Sequence, residues 1–287
     1  MFPIEQLRLQ EPPQDGFCRN SYFMGNREFP SVPQSQSFVR EVNNVSTGRR
    51  SIVITIGFVA GALGCLIGSP GMAADLFKDP ALMVAPPRGA IVLFNGKDLS
   101  AWKHRDTGEA AKWQIVDGAM EVTPGTPDLI TKQDFGDFQL HVEFNIPVLP
   151  PNLKSQERGN SGVYSHGRYE IQVLDSFNNE TYANGMCGSI YEQKEPDINA
   201  CKPAGQWQTY DITFRGPRLD GSGKVIERPR ITVYHNGILI HDNVEILADY
   251  TRAGMSGPVP KVGPVLLQNH GSKVRYRNIW IVPHNQN

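Results

Sequence analysis

The stretch GNSGVYSHGRYEIQVLDS, residues 159–176, has an alternation of residue types that is decisive for the fold. Side chains alternate along a β-strand, so this stretch has one apolar face and one polar face. The apolar face carries Tyr169, Ile171 and Val173, and the polar face carries Arg168, Glu170 and Gln172. The polar face is either an outer surface in contact with water or the lining of a binding groove.

The same period returns in FQLHVEFNIP (138–147) and QTYDITFRG (208–216), and turn pairs separate such segments. Asp117 with Gly118 and Asn236 with Gly237 are strong β-hairpin signals. Many short strands without a long amphipathic helix predict an all-β fold, in which two antiparallel sheets pack face to face. We expect one domain over residues 88–284, since no linker divides this span.

Polar side chains recur on the other predicted strands, namely His141 and Glu143 in the first segment and Asp211 and Arg215 in the second. If these faces and the face of Glu170 belong to one sheet, they form a polar trough suited to a sugar. Whether they share a sheet is left open by the pattern, and we favour the groove.

Bulk composition excludes one class of partner. The 287 residues carry a formal net charge of -1, with 39% hydrophobic and 20% charged residues. Nucleic-acid binding usually requires a basic patch or a high isoelectric point, so no nucleic-acid partner is expected.

The N-terminal region predicts export. Residues 1–50 lack an apolar period and are predicted to be a disordered leader. In residues 51–74, an apolar run follows Arg49 and Arg50 and ends in small residues, which is the layout of a secretory signal cleaved near Ala73 or Ala74. The alternatives are a single membrane anchor, a twin-arginine signal or lipidation at Cys65. We expect a periplasmic or extracellular protein, bound to a membrane only if the apolar segment is not cleaved.

Cysteine usage and metal motifs come next. In an exported chain Cys187 and Cys201 either form a disulfide or remain two buried thiols. No CxxC or HExxH pattern occurs, so no zinc site and no cofactor are predicted. Oxygen ligands around residues 160–161 or 175–176 leave a divalent cation as an open alternative.

Five blocks together resemble one known family: LFNGKDLSAWK, GNSGVYSHGRYEIQVLDS, KPAGQWQTYDITFRGPR, VYHNGILIHDNVEI and GPVLLQNHGSKVRYRNIWIVP. They resemble the 3-keto-disaccharide hydrolase domain, which is common in planctomycetes and Bacteroidetes, over nearly all of residues 88–283. The resemblance implies a concanavalin-like jelly roll, the architecture of laminarinase-type glycosidases and legume lectins, and action on 3-keto-glycosides. Asn269 departs from the aspartate expected in the last block, which removes a charge beside His270.

A ketone at C3 of a sugar acidifies the hydrogen on C2, and the resulting enolate can expel the glycosidic oxygen from C1. Such a site needs a general base, a group that stabilises the enolate and a proton donor. Glu170 fits the base, His270 an acid or base, and Glu143 the second carboxylate that ordinary hydrolysis requires. Candidate substrate-binding residues are Arg168, Gln172, Gln268 and Lys202, with Trp207 or Tyr191 as a stacking ring.

Each candidate also has a purely structural interpretation. Glu170 and Glu143 can be solvated or ion-paired strand residues, His270 an ordinary turn residue, and Trp207 part of the core. The main functional hypothesis is an exported enzyme that cleaves 3-keto-glycosides by elimination and hydration, or by hydrolysis. The alternatives are a non-catalytic, lectin-like carbohydrate-binding module and an envelope-anchored structural module, because a fold does not fix a function.

Overall fold

The structure is a computed structural model that describes residues 82–284. The predicted leader (1–50) and the apolar segment (51–74) therefore lie outside the described residues, together with Cys18 and Cys65. Within residues 82–284, no helix has both the length and the apolar character needed to cross a membrane.

Short extended segments dominate the described chain, as its turn-rich sequence predicts. Two 3-10 helices span Ser155–Glu157 and Ala183–Gly185. The strands are β1 (Ile91–Phe94), β2 (Trp102–His104), β3 (Gln114–Val116), β4 (Ala119–Glu121), β5 (Leu129–Thr131), β6 (Asp137–Asn145), β7 (Ser161–Ser165), β8 (Tyr169–Val173), β9 (Trp207–Arg215), β10 (Arg218–Leu219), β11 (Val225–Glu227), β12 (Arg230–His235), β13 (Ile238–Glu245), β14 (Leu266–Leu267) and β15 (Arg275–His284).

The strands form two main antiparallel sheets. The larger sheet has the order β13-β12-β9-β6-β15-β4-β3, with β1 paired to β15. The smaller sheet has the order β2-β5-β14-β7-β8, and β10 and β11 make a separate ribbon. The predicted all-β jelly-roll sandwich of two antiparallel sheets is confirmed.

Alternating apolar side chains from both sheets meet in one core. Phe138 and Phe214 of the larger sheet pack at 5.3 Å between ring centroids, and Tyr169 of the smaller sheet lies 5.7 Å from Phe214. Burial of such rings is the main favourable term that holds two sheets together. In the two main sheets, side chains on the opposite face of a strand therefore point outward.

The polar faces of β6, β8 and β9 do not lie on one sheet. Strands β6 and β9 are neighbours in the larger sheet, whereas β8 is the edge strand of the smaller sheet. Glu143 and Glu170 consequently lie on opposite outer faces of the sandwich. The expected single trough is wrong, because strands of either sheet show the same in-out alternation and the pattern does not identify the sheet.

Strand β15 contains a β-bulge against β6. Arg277 pairs with Glu143 and Trp280 pairs with His141, so three steps along β15 match two steps along β6. Asn278 occupies the bulge with a φ of 45°, a left-handed conformation that asparagine tolerates better than most residues. Arg277 and Trp280 therefore both face outward.

Cys187 and Cys201 are buried free thiols, so the disulfide alternative does not apply to this structure. The Cys187 thiol lies 3.1 Å from the Tyr210 hydroxyl. Burial raises the pKa of the Cys187 thiol well above its usual range, which leaves it protonated.

Replacement of Phe214 by alanine tests the contact between the sheets. We expect Phe214→Ala to lower the free energy of unfolding by about 3–5 kcal/mol, because it leaves a cavity beneath Phe138 and Tyr169. Urea denaturation of the full chain measures the change. Thr213→Ala, at the exposed neighbouring position, is the control and should stay within about 0.5 kcal/mol of wild type. Equal stabilities of the two variants would contradict the packing described.

Candidate active site

The outer face of the smaller sheet carries a second side-chain cluster, separate from the core. Ile130, Tyr164 and Leu266 are buried together there, on three adjacent strands. In a two-layer sandwich the outer face of a sheet is normally in contact with water. Burial on this face shows that further segments cover it.

The β7–β8 hairpin places the central acid. Tyr164 pairs with Glu170 and Gly162 pairs with Gln172 across the two strands. Glu170 Oε1 occupies the space above Gly162, where an added Cβ would lie only 2.3 Å from that oxygen. A residue without a side chain is required at this position if the carboxyl group is to lie over the strand.

Glu170 ends a short hydrogen-bonded series of side chains. The Gln268 amide donates to the Tyr164 hydroxyl at 2.9 Å, and the Tyr164 hydroxyl hydrogen-bonds to the Glu170 carboxyl. Gln268 is held in place because its backbone N–H donates to the Gly162 carbonyl at 3.0 Å. The chain thus brings an amide, a phenol and a carboxyl group together.

The Glu170 carboxyl has an unusual proton affinity. Glu170 is 2% exposed, and this burial raises its pKa to about 8, although the Tyr164 hydrogen bond opposes the shift. Burial also raises the pKa of Tyr164 far above its ordinary value, so the phenol keeps its proton. Near neutral pH the pair consists mainly of a protonated acid and a protonated phenol.

Two acceptor atoms beside this pair lack donors. Gln172 Oε1 and Gln268 Oε1 are buried and have no hydrogen-bond donor among residues 82–284. The Gln172 amide group is fixed, since its Nε2 donates to Gln156 Oε1 at 3.0 Å. A buried acceptor without a donor costs about 1–3 kcal/mol, so these oxygens favour a ligand that brings hydroxyl groups.

Asp128 marks the other end of the cluster. Its carboxylate accepts a hydrogen bond from the Asn269 backbone N–H at 2.8 Å and pairs with Arg105 at 3.1 Å. The Asn269 side chain donates to the carbonyls of Thr123 and Thr126 at 2.8 and 2.7 Å. An aspartate could not make these two bonds, which explains why asparagine fits here.

Arg168 was expected to bind substrate, but its guanidinium group already donates hydrogen bonds to the backbone of a loop. Its guanidinium group donates to four backbone carbonyls, those of Asp249, Ser256, Gly257 and Pro258. The Thr251 hydroxyl in the same loop donates to the Arg168 carbonyl and accepts from the Glu170 N–H. Arg168 therefore positions the loop that covers one side of Glu170.

Glu143 belongs to an ion-pair network on the larger sheet, not to the Glu170 cluster. It accepts hydrogen bonds from Arg277 at 2.7 Å, from Asn278 at 2.9 Å and from the Met83 N–H. Burial opposes ionisation, but bonds from His141, Asn278 and Arg277 outweigh it and hold the pKa of Glu143 at about 2. A carboxylate this fully paired is a poor proton acceptor, so its predicted catalytic role does not fit the structure.

The predicted roles of Trp207 and Lys202 also do not fit the Glu170 cluster. Trp207 pairs with Asn145 on the larger sheet, where the Arg277 guanidinium lies 3.9 Å from the centroid of its ring. Lys202 lies just before β9, and its backbone N–H donates to Gln208. Lys202 lies shortly before β9 and Trp207 begins β9, which belongs to the larger sheet. The sequence pattern does not distinguish strands of the larger sheet from strands of the smaller sheet.

His270 lies on an exposed turn two residues after Gln268. The structure thus brings Glu170, Gln172 and Gln268 together. His270 follows Gln268 closely in the sequence, and its catalytic role stays a prediction. Tyr164 and Asp128 are the members that our sequence interpretation missed. The turn at His166 and Gly167 is a signal that could have identified Tyr164, because it folds this residue back onto Glu170.

Surface cavities of about 400, 370, 330 and 240 Å³ lie elsewhere in the described part of the chain, and their linings do not include Glu170. Glu170 is instead enclosed by two segments: the Tyr191 N–H donates to its carbonyl at 3.2 Å, and Thr251 accepts from its N–H. In the described part of the chain, no group of three or more His, Cys, Asp or Glu side chains is arranged to hold a metal ion.

Fold and site together define a two-sheet β-sandwich with a buried carboxylic acid, a phenol and amides on one outer face. The profile of the 3-keto-alpha-glucoside-1,2-lyase-like domain matches residues 89–282, and the chain belongs to this family. Comparison with curated proteins finds no match.

Two crystal structures of proteins from Parabacteroides distasonis, each described as a "putative glycosyl hydrolase", are similar to this chain. The first is 41% identical, with a TM-score of 0.62, over 69% of this chain and 85% of the other. The second is 21% identical, with a TM-score of 0.52, over 69% and 94% of the two chains, and supports the fold alone.

The raised pKa of Glu170 predicts a pH-dependent stability difference. A carboxyl group whose pKa rises from 4.5 to about 8 on folding lowers the free energy of unfolding as pH increases through this range. Glu170→Gln lacks this loss and keeps an acceptor for Tyr164. We therefore expect its stability relative to wild type to increase between pH 5 and pH 8.5, on the order of 2–4 kcal/mol.

Thermal or urea unfolding of both proteins across this pH range measures the difference. The control is Glu180→Gln, which makes the same substitution at an exposed carboxylate outside the cluster. A constant difference for Glu170→Gln would show that the Glu170 pKa is ordinary.

The Asn269 side chain provides a second test. Asn269→Asp replaces a donor to two carbonyls by a carboxylate close to Asp128. We expect it to lower the free energy of unfolding at pH 7 by about 2–3 kcal/mol. Urea denaturation measures the loss, with exposed Asn152→Asp as the control. A variant as stable as wild type would mean that the two carbonyl contacts do not contribute.

Proposed function

We propose that this protein is a carbohydrate-active enzyme that cleaves the glycosidic bond of 3-keto-glycosides by elimination at C1 and C2, followed by addition of water. Family membership and the glycosyl hydrolase description of similar proteins support an enzyme acting on carbohydrates. The observation that carries the proposal is the buried Glu170 carboxyl beside Tyr164, with two amide oxygens that lack donors.

The elements of the reaction match the groups in the cluster. In the proposed step, ionised Glu170 removes the proton from C2, the electron pair forms the C1–C2 double bond of the enone, and the C1–O bond breaks. The departing oxygen then takes up the proton that Glu170 has received, which releases the second sugar as an alcohol and returns Glu170 to its ionised form. A pKa of about 8 makes Glu170 a stronger base than an ordinary carboxylate, at the cost of a smaller ionised fraction at pH 7. Water then adds at C1 and returns the 3-keto sugar.

The remaining side chains bind and polarise the substrate. Tyr164 keeps its proton throughout the working pH range and donates to the ketone oxygen as negative charge develops there. Gln172 Oε1 and Gln268 Oε1 accept hydrogen bonds from sugar hydroxyls. Because Glu170 is 2% exposed, a sugar ring reaches its carboxyl group only after the loop carrying Thr251 has moved aside.

Elimination fits the cluster better than ordinary hydrolysis. Hydrolysis through an oxocarbenium-like state uses two carboxyl groups on either side of one bond. Glu143, the second carboxylate expected from the sequence, lies on the opposite sheet and is held ionised by hydrogen bonds from His141, Asn278 and Arg277. Asp128 is committed to Arg105 and the Asn269 N–H. Proton removal next to a ketone needs only one strong base.

Turnover of a 3-keto-glycoside tests the proposal. The full-length protein should release sugar from 3-keto-trehalose, and Glu170→Gln should lower kcat/KM by at least about a hundredfold. For wild type, kcat/KM should rise with pH and level off above about 8, because the ionised carboxylate is the active form. Glu180→Gln, at an exposed position, should match wild type.

Full activity of Glu170→Gln would contradict the assigned base. Tight glycan binding by calorimetry, with no turnover of keto or ordinary glycosides, would instead select the lectin-like module.

A further inference from the structure

Two tyrosines flank the Glu170 cluster at the outer edge of the smaller sheet. Tyr182 precedes the 3-10 helix Ala183–Gly185, and Tyr191 follows the turn after it. Their hydroxyls are 2.5 Å apart, and their ring centroids are 6.3 Å apart at an interplanar angle of 56°. One hydrogen bond thus joins the two rings into a single aromatic unit, which we call the tyrosine pair.

Contacts on both sides connect the tyrosine pair to the acid and its neighbouring amide. The Tyr191 N–H donates to the Glu170 carbonyl at 3.2 Å. The Tyr182 ring rests on Gly185, where an added Cβ would lie 1.9 Å from the ring, and the Gly185 carbonyl accepts from Gln172 Nε2 at 3.4 Å. The tyrosine pair therefore borders the side of the cluster formed by β8.

Exposure distinguishes the tyrosine pair from the core aromatics. Tyr182 is 42% exposed, although it lies beside residues that are almost completely buried. An exposed ring next to a polar, enclosed site presents an apolar face to which the C–H face of a sugar ring can pack, while its hydroxyl can hydrogen-bond to the sugar.

The opposite end of the cluster is chemically different. There Asp128 and Arg105 form an ion pair, and Arg105 also donates to the Ala253 carbonyl. These charged groups are already paired with each other. A sugar that extends from the reacting ring toward β8 meets the tyrosine pair as a stacking surface.

We propose that the tyrosine pair is a specificity-determining subsite, which binds the hexopyranose that departs as the leaving group. This inference rests on the proposed function, because the keto sugar must lie over Glu170 for its C1 substituent to extend toward β8. The leaving group is attached one bond from C2, so the second ring begins within about one ring width of the acid. The tyrosine pair then selects disaccharides over glycosides with small leaving groups.

The experiment compares two substrates that differ only in the leaving group. Full-length wild type, Tyr182→Ala, Tyr182→Phe and Tyr234→Ala are assayed on 3-keto-trehalose and on methyl 3-keto-glucoside. Tyr234 is the matched control, because it is 41% exposed but lies on the larger sheet. Melting curves confirm that each variant is folded, and Tyr182→Leu replaces Tyr182→Ala if the latter is not.

We expect Tyr182→Ala to lower kcat/KM on the disaccharide by about tenfold or more and on the methyl glycoside by less than about twofold. Tyr182→Phe, which keeps the ring, and Tyr234→Ala should remain within about twofold of wild type on both substrates. Equal losses on both substrates, no loss on the disaccharide, or a defect in Tyr182→Phe as large as in Tyr182→Ala would overturn the inference.

Failure of the proposed function gives a different result, namely no turnover of either substrate by wild type. In that case calorimetric titration with trehalose decides the role of the tyrosine pair. At least about tenfold weaker binding by Tyr182→Ala than by wild type and Tyr234→Ala would support a sugar subsite. Equal affinities, or no binding by wild type, would overturn it.

Discussion

The enclosure of one carboxyl group is the constraint on which the rest of the smaller sheet depends. Glu170 can lie on an outer face without contact with water only because Gly162 leaves space for it and Tyr164 pairs with it. An ionised carboxylate is destabilised when it is removed from water, so burial favours the protonated form of Glu170. A buried carboxyl group with a strongly raised pKa is a candidate functional group, because such shifts are frequent in active sites.

The surrounding loops keep water out through backbone contacts. The Arg168 guanidinium group donates hydrogen bonds to four carbonyls of the 249–258 loop. The Thr251 hydroxyl accepts a hydrogen bond from the Glu170 N–H and so connects the same loop to β8. On the other side Tyr191 caps the edge strand, and Arg252 pairs with Glu192 at 2.9 Å to link the two covering segments. An arginine expected to hold substrate thus supports the enclosure instead, as a group with several fixed donors is well suited to do.

Much of the fold could be predicted from local patterns, and part of the site could be as well. The alternation in residues 169–173 places Glu170 and Gln172 on one face, and Gln268 follows from the last block of the family resemblance. The assignment of Glu143 to the same surface is wrong because it requires knowing which strands pair, and pairing is set by contacts distant in sequence. The position of Tyr164 could also be predicted, since a tight turn at residues 166–167 makes Glu170 its partner across the hairpin. The bonds of Asn269 to Thr123 and Thr126 require the folded turn, so the sequence gives no sign of them.

The β-bulge at Asn278 has a consequence for how this strand can change in evolution. Tyr276 lies in the core, and in a regular strand residues 278 and 280 would point to the same side as Tyr276. The additional residue of the bulge shifts the alternation by one, so that Ile279 and Ile281 point inward instead. Deletion of the single residue at 278 would restore strict alternation and still leave Trp280 facing outward and both isoleucines facing inward, because the bulge contributes the one residue that β6 does not match. Loss of one residue at this point is therefore compatible with the core, and what it removes is the Asn278 side chain, which donates to Glu143 and to the Val84 carbonyl.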